Sequence, residues 1–211
     1  MTFDFTPLPL VIAVSGHSDP LPEAMKKTIS DFKKHLEELI KKLPSTPIYM
    51  LNGLSAGTES SAAEVFLDIV KNNKSNDNRK PNHKLIAALP KTKSNYINDF
   101  TEGSQSNKLN KLLSQCDAIF DPSNSVGLRG IALLGTEMPE PTCHALQSVF
   151  LVRHALLHFS FCDGELVNQP GGAFETTQIK KGILTQAFLT RDDLICPREE
   201  GCLIEYYTPR K

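Results

Sequence analysis

Three features of the sequence predict an α/β fold: a doubly wound, mostly parallel sheet with helices on both faces. Short apolar runs alternate with longer segments of helical periodicity. The apolar runs are uninterrupted rather than alternating, and turns rich in glycine or proline follow them. Uninterrupted runs suit strands covered on both faces, the environment that parallel sheets create. The intervening helices supply the long crossover that joins one parallel strand to the next.

Leu10-Val11-Ile12-Ala13-Val14 is the first such run, and it ends at Ser15-Gly16-His17-Ser18-Asp19. Pro20 and Pro22 suit the first turn of a helix, where a missing N–H costs nothing. Met25, Ile29, Phe32, Leu36, Leu39 and Leu43 then recur every three or four residues and predict one buried stripe. The lysine pairs at 26–27, 33–34 and 41–42 along the same segment predict its solvated face. Pro44 and Pro47 close that helix before Ile48-Tyr49-Met50-Leu51, a second strand leading into Asn52-Gly53-Leu54-Ser55-Ala56-Gly57-Thr58. The next helix turns Ala62, Ala63, Phe66, Ile69 and Val70 inward, and the polar stretch from Lys71 to His83 predicts a surface loop.

Leu85-Ile86-Ala87-Ala88-Leu89 is a third strand, stopped by Pro90. A short polar segment around Tyr96 and Phe100 precedes a helix predicted near Lys108 to Gln115, then a short strand, Ala118-Ile119-Phe120. Asp121 to Pro141, rich in Gly, Ser and Pro, predicts a loop. Thr142 to Arg153 predicts a helix, Leu156 to Phe161 a strand, and Leu203 to Tyr207 a last strand. Between these strands, Gly171-Gly172 opens a helix carrying Ile179, Ile183, Leu184 and Ala187 inward. No internal repeat or shift in composition divides the chain, so a single domain over residues 1–211 is expected.

A net charge of −1 gives no general attraction to nucleic acid or to a membrane surface. The five cysteines are odd in number and never form C-x-x-C, which argues against a disulfide framework or a structural zinc site and fits a reducing compartment. No apolar run is long enough to span a bilayer and no basic segment precedes the first one, so a cytoplasmic protein is expected. His154 and His158 stand four apart, but the helix is predicted to end between them, and no metal site is expected. Cys162 ends an apolar strand and reads as inert packing.

In an open parallel sheet, ligands bind outside the carboxyl ends of the strands where strand order reverses. Gly16-His17-Ser18-Asp19, Gly53 to Thr58, and Asp163 to Thr177 each follow a strand directly, so all three should share one edge. Glycine admits close backbone approach, helix N-termini favour anions, and Ser18, Ser55, Thr58, Thr176 and Thr177 offer hydroxyls. Gly16, Ser18, Gly57, Thr58, Gly171 and Gly172 would cradle phosphate, while Asp19, Glu59, Asp163 and Glu175 suit ribose hydroxyls or a base. His17 lies at the same edge, either facing a ligand or bonded to local backbone. Neither the G-x-G-x-x-G fingerprint nor a P-loop is present, so nicotinamide redox chemistry and ATP hydrolysis are unsupported, and no cofactor is expected.

The blocks Val11 to Asp19, Leu54 to Glu59, Ala88-Leu89-Pro90 with Tyr96 to Phe100, Cys162-Asp163-Gly164 with Gly171-Gly172, and Thr208-Pro209-Arg210 resemble, in order, the SLOG superfamily. These are Rossmann-like relatives of the Lonely Guy and DprA/Smf proteins, and the resemblance spans nearly the whole chain. It implies a nucleotide-derived ligand. Many such domains sense an ADP-ribose-like or cyclic nucleotide signal in prokaryotic defence systems, acting through an effector domain, a partner protein or oligomerisation. The enzymatic branch cleaves N-glycosidic bonds with a P-G-G-x-G-T-x-x-E segment. Aligned on Pro170-Gly171-Gly172, its glutamate falls on Gln178, which can neither act as a base nor stabilise a cationic centre as a carboxylate does. Ser18 replaces the arginine usual in the family. Binding without turnover is therefore expected. A nucleotide N-glycosidase or deoxyribosyltransferase using Glu59 or Glu175, and an interaction module without a ligand, are the alternatives.

Overall fold

A computed structural model of the chain describes residues 7–73, 81–100, 103–121, 140–165, 172–183 and 203–210. The elements in chain order are β1 (Leu10–Gly16), α1 (Pro22–Lys42), β2 (Ile48–Asn52), α2 (Thr58–Asn73), β3 (Lys84–Ala88), α3 (Lys93–Asn98), α4 (Gly103–Gln115), β4 (Ala118–Phe120), α5 (Glu140–His154), β5 (Leu157–Cys162), α6 (Ala173–Lys180) and β6 (Leu203–Tyr207). The six strands form one sheet in the order β4-β3-β2-β1-β5-β6, and every pairing is parallel. This is the expected Rossmann-like, doubly wound α/β arrangement. The chain begins at the centre, steps outward through β2, β3 and β4, and returns through α5 to lay β5 on the other side of β1. Strand order therefore reverses between β1 and β5.

The two faces of the sheet are built differently. Ile12, Val14, Phe159 and Phe161 meet Phe32 and Leu36 of α1, Phe66 of α2 and Leu109, Leu112 and Leu113 of α4 in one large apolar core. The Phe32 ring lies edge-on to Phe159 and Phe161 at 5.1 and 5.7 Å. On the opposite face Ala13, Leu51, Ile86 and Ala88 pack against Leu151 and Ala155, and Val149 and Val152 of α5 join Ile179 of α6. The paired lysines of α1 are all exposed, as its stripe requires.

Four expectations need adjustment. The polar segment around Tyr96 is a short helix, because Asp121 Oδ2 accepts the Lys93 N–H at 3.1 Å and the Tyr96 ring is buried against Phe100. Helix α4 starts five residues before Lys108, since its first turn is polar and adds nothing to the apolar stripe. The stretch 71–83 is not all surface loop: α2 continues to Asn73, and buried His83 accepts the Ile48 N–H through Nδ1 at 3.0 Å. Helix α6 stops at Lys180. Gly182 takes φ +77°, and the N–H groups of Gly182 and Ile183 bond back to Ile179 and Gln178, closing a Schellman motif that leaves Ile183 exposed. Leu184 and Ala187 lie outside the described residues, as does most of the Asp121–Pro141 stretch. Among the described residues, no helix is long and apolar enough to cross a membrane.

Candidate functional site

The carboxyl ends of β1 and β2 lead into two turns that lock onto each other. Any Cβ at Gly16 would overlap the Thr58 side chain. Gly57, at φ +76°, would drive a Cβ to 2.6 Å from the carbonyl oxygens of both His17 and Ser18. Both positions therefore require glycine: at Gly57 a Cβ would meet backbone at a positive φ, and at Gly16 it would meet the buried Thr58 side chain. Thr58 is fully buried, and its N–H and hydroxyl both donate to the His17 carbonyl, at 3.2 and 2.8 Å.

Glu59 completes the clasp. Its Oε1 accepts the Gly16 N–H at 3.3 Å and its Oε2 the Ser55 N–H at 3.1 Å. Burial lifts the Glu59 pKa above the usual carboxylate range, and the bonds from Ser55 and Gly16 pull the other way. Leu54 adopts φ +59°, a left-handed conformation disfavoured for a branched side chain. Asn52 holds it there: its Oδ1 accepts the Leu54 N–H at 2.6 Å while its Nδ2 donates to the Glu59 carbonyl.

The turn after β5 meets the first of these across the reversal point. Asp163 Oδ1 lies 3.2 Å from His17 Nε2 and accepts the Glu165 N–H, while Oδ2 accepts Arg210 Nε at 2.6 Å. Burial would raise the Asp163 pKa, but the hydrogen bonds from Arg210 and Glu165 and the nearby positive charges outweigh it and hold the carboxyl below its ordinary value. Burial likewise depresses the His17 pKa, more than Asp163 raises it. Arg210 reaches Asp163 because the segment after β6 crosses the turn. The Thr208 N–H donates to the Cys162 carbonyl and the Leu21 N–H to that of Pro209.

The sequence-derived site residues thus fall into three groups. Gly16, Gly57, Thr58 and Glu59 bind one turn to the other, with Ser55 joined through its amide. His17 and Asp163 face each other at the reversal, where Ser18 and Asp19 are exposed. Gly172 caps α6, and its carbonyl accepts both the N–H and the hydroxyl of Thr176 at 3.0 Å. Thr176 Oγ1 also lies 2.8 Å from Ser148 Oγ, so its one proton is shared between that oxygen and the Gly172 carbonyl, and Glu175 is buried beside it. Gly171 lies outside the described residues.

Beside the paired turns, a cleft of about 210 Å³ runs between α1, α2 and α4. Ser18, Ala56, Gly57, Ser61, Phe100 and Lys108 are among the residues that line it. Lys108 also pairs with Glu64 at 2.9 Å. Sequence reasoning did not single out Lys108, Cys162 or Arg210 as site residues. Nothing near Lys108 in the sequence marks a cleft, whereas Arg210 stood in a recognised block without an assigned role. No protein-family model matches the chain, and no curated protein matches it either.

Proposed function

We propose that the chain binds a nucleotide-derived small molecule, an ADP-ribose-like or cyclic nucleotide signal, in a prokaryotic defence or signalling system. Its output would pass to an effector, a partner protein or a second copy of the chain. The observation that carries this reading is the cleft at the turns that follow β1 and β2. Exposed Ser18, the Gly57 turn, Phe100 and Lys108 all line it. Phe100 offers a surface for a base and Lys108 a charge for phosphate, and exposed Asp19, next to Ser18 in the chain, is an acceptor for ribose hydroxyls. The burial of Glu59 and Glu175 favours binding over glycosidic cleavage, since both Glu59 oxygens already hold backbone amides.

Thermal unfolding with ADP-ribose, cyclic ADP-ribose isomers and cyclic nucleotides tests the reading. A specific ligand at a hundred times its Kd adds about 2.7 kcal/mol, or roughly 5–10 °C for a chain of this size. Lys108→Ala should diminish the shift for any phosphate-bearing ligand. Base release from a nucleoside monophosphate by the wild-type chain would refute the binding-only reading. No shift with any of these compounds, together with no nucleotide co-purifying by mass spectrometry, would leave an interaction module instead.

A further inference from the structure

We propose that His17, Cys162 and Asp163 form a binding site for a divalent metal ion of the zinc class at the reversal of strand order. The inference is independent of the nucleotide reading. An imidazole nitrogen, the Cys162 sulfur and an Asp163 carboxylate oxygen all lie within 4.8 Å of one another. His17 Nε2 and Asp163 Oδ1 are 3.2 Å apart. Two donors on a tetrahedral ion with bonds of about 2.0–2.1 Å are separated by roughly 3.3 Å, so this edge already has the required length. The group is not a solvated acidic cluster: His17 is 7% exposed, Cys162 8%, and the Asp163 side chain 7%.

His17 Nε2 lies 3.2 Å from both the Asp163 N–H and Asp163 Oδ1. It can accept from the first or donate to the second, but not both at once. A metal ion would take the single lone pair of the neutral ring in place of the amide and would lie against Oδ1.

The surroundings supply the supports that metal ligands need. Arg210 binds Asp163 Oδ2 and so fixes the carboxylate with Oδ1 toward His17. Gly164, at φ +79°, directs its N–H to Cys162 Sγ at 3.1 Å, a bond that offsets part of the burial that raises the thiol pKa. A thiolate, an imidazole and a carboxylate together select zinc-like ions over magnesium or calcium. On binding, the Cys162 thiol releases its proton to solvent and a metal–sulfur bond forms, with no change in oxidation state. Three protein donors leave one coordination position for water or an exogenous ligand.

The test uses the full, untagged chain, reduced and stripped with a chelator. Titration with Co²⁺ should give a thiolate-to-cobalt charge-transfer absorption that saturates at one equivalent and is abolished by Zn²⁺. Cys162→Ser should eliminate that absorption. Loss of a supporting residue alone lowers metal affinity about 10–100-fold, so His17→Gln should weaken zinc by about 100-fold or more, and Arg210→Gln by about tenfold. In the wild-type chain, where no variant need fold, zinc should slow the alkylation of Cys162 by iodoacetamide while leaving the rate at half-buried Cys143 unchanged. A charge-transfer absorption that persists in Cys162→Ser, cobalt bound without one, or Cys162 alkylation unaffected by zinc would each overturn the proposal.

Discussion

The same two strands present opposite chemistries on their two faces. Toward α1 and α2, β1 and β5 show Ile12, Val14, Phe159 and Phe161; toward α5 and α6 they show Ala13, Ser15, His158 and Ser160. The first face is held by interlocking rings. The second is tied by directed bonds: Ser15 to His158 at 2.8 Å, Ser160 to Thr177 at 2.5 Å, and Thr176 to Ser148 at 2.8 Å. Apolar burial has no preferred direction and tolerates repacking, whereas a buried hydroxyl pair fixes one element against another. Helix α6, which opens at Gly172 on the carboxyl side, is positioned by the second kind. One face thus supplies stability, and the other fixes the position of α6.

The largest expected effect breaks the apolar face. Phe32→Ala removes a fully buried ring lying between Phe159 and Phe161 and should cost about 3–5 kcal/mol in urea unfolding. A loss below about 1 kcal/mol would mean that this face is not the main source of stability.

On the polar face the corresponding effect depends on pH. Burial, reinforced by the Lys180 ammonium, pushes the His158 pKa down to about 3 from 6.5, and its Nδ1 has no hydrogen-bond partner among the described residues. Because the folded pKa is the lower one, the unfolded chain binds more protons between those values. The neutral ring's contribution is complete above pH 6.5 and declines as pH falls toward 3. By pH 4 the loss should be on the order of 3 kcal/mol. His17, His83 and His154 shift in the same direction, so the measurement is the difference between wild type and His158→Asn at pH 7 and pH 4. Parallel stability curves for the two would sink the assignment.

A smaller effect sharpens the claim of direction. Thr177→Val alone strands the buried Ser160 hydroxyl, at a cost of about 1–3 kcal/mol; Ser160→Ala should cost less, because the Thr177 hydroxyl keeps the Ala173 carbonyl, and the double variant should recover most of the Thr177→Val loss. Additive losses in the double-mutant cycle would show that the two residues contribute only as packing volume.

These differences also explain what the sequence made legible. The strands were legible because burial on both faces leaves uninterrupted apolar runs, and the three turns could be assigned to one edge because each follows a strand. The end of α6 was marked by Gly182, a signal overridden by extending the apolar periodicity to Ile183 and beyond. The partners of the site residues were not legible. Thr58 and Glu59 close onto a turn more than 40 residues earlier, and His17 meets Asp163 across 146 residues, distances at which no local pattern constrains a side chain. The polar neighbours of Cys162, among them His17 and Arg210, were likewise out of reach, because they follow β1 and β6 and not its own strand.

The smallest expected effect concerns Lys180, a lysine only 4% exposed whose Nζ donates to the carbonyls of Ala155 and Leu156. Lys180→Met keeps the volume and removes the charge, and replacing a buried charge by an apolar group of similar size is often close to neutral. At pH 7 the change should therefore lie within about 1 kcal/mol of wild type, with the two carbonyls left to weaker partners. Its distinctive signature is in acid. The ammonium is the second cause of the low His158 pKa, after burial, so removing it should raise that pKa and narrow the pH window from its lower end. The stability lost between pH 7 and pH 4 should then be smaller in Lys180→Met than in wild type, yet larger than in His158→Asn. A loss equal to that of wild type would mean that burial alone sets the His158 titration. The polar face would then owe its acid sensitivity to the absence of water rather than to the charge at the end of α6.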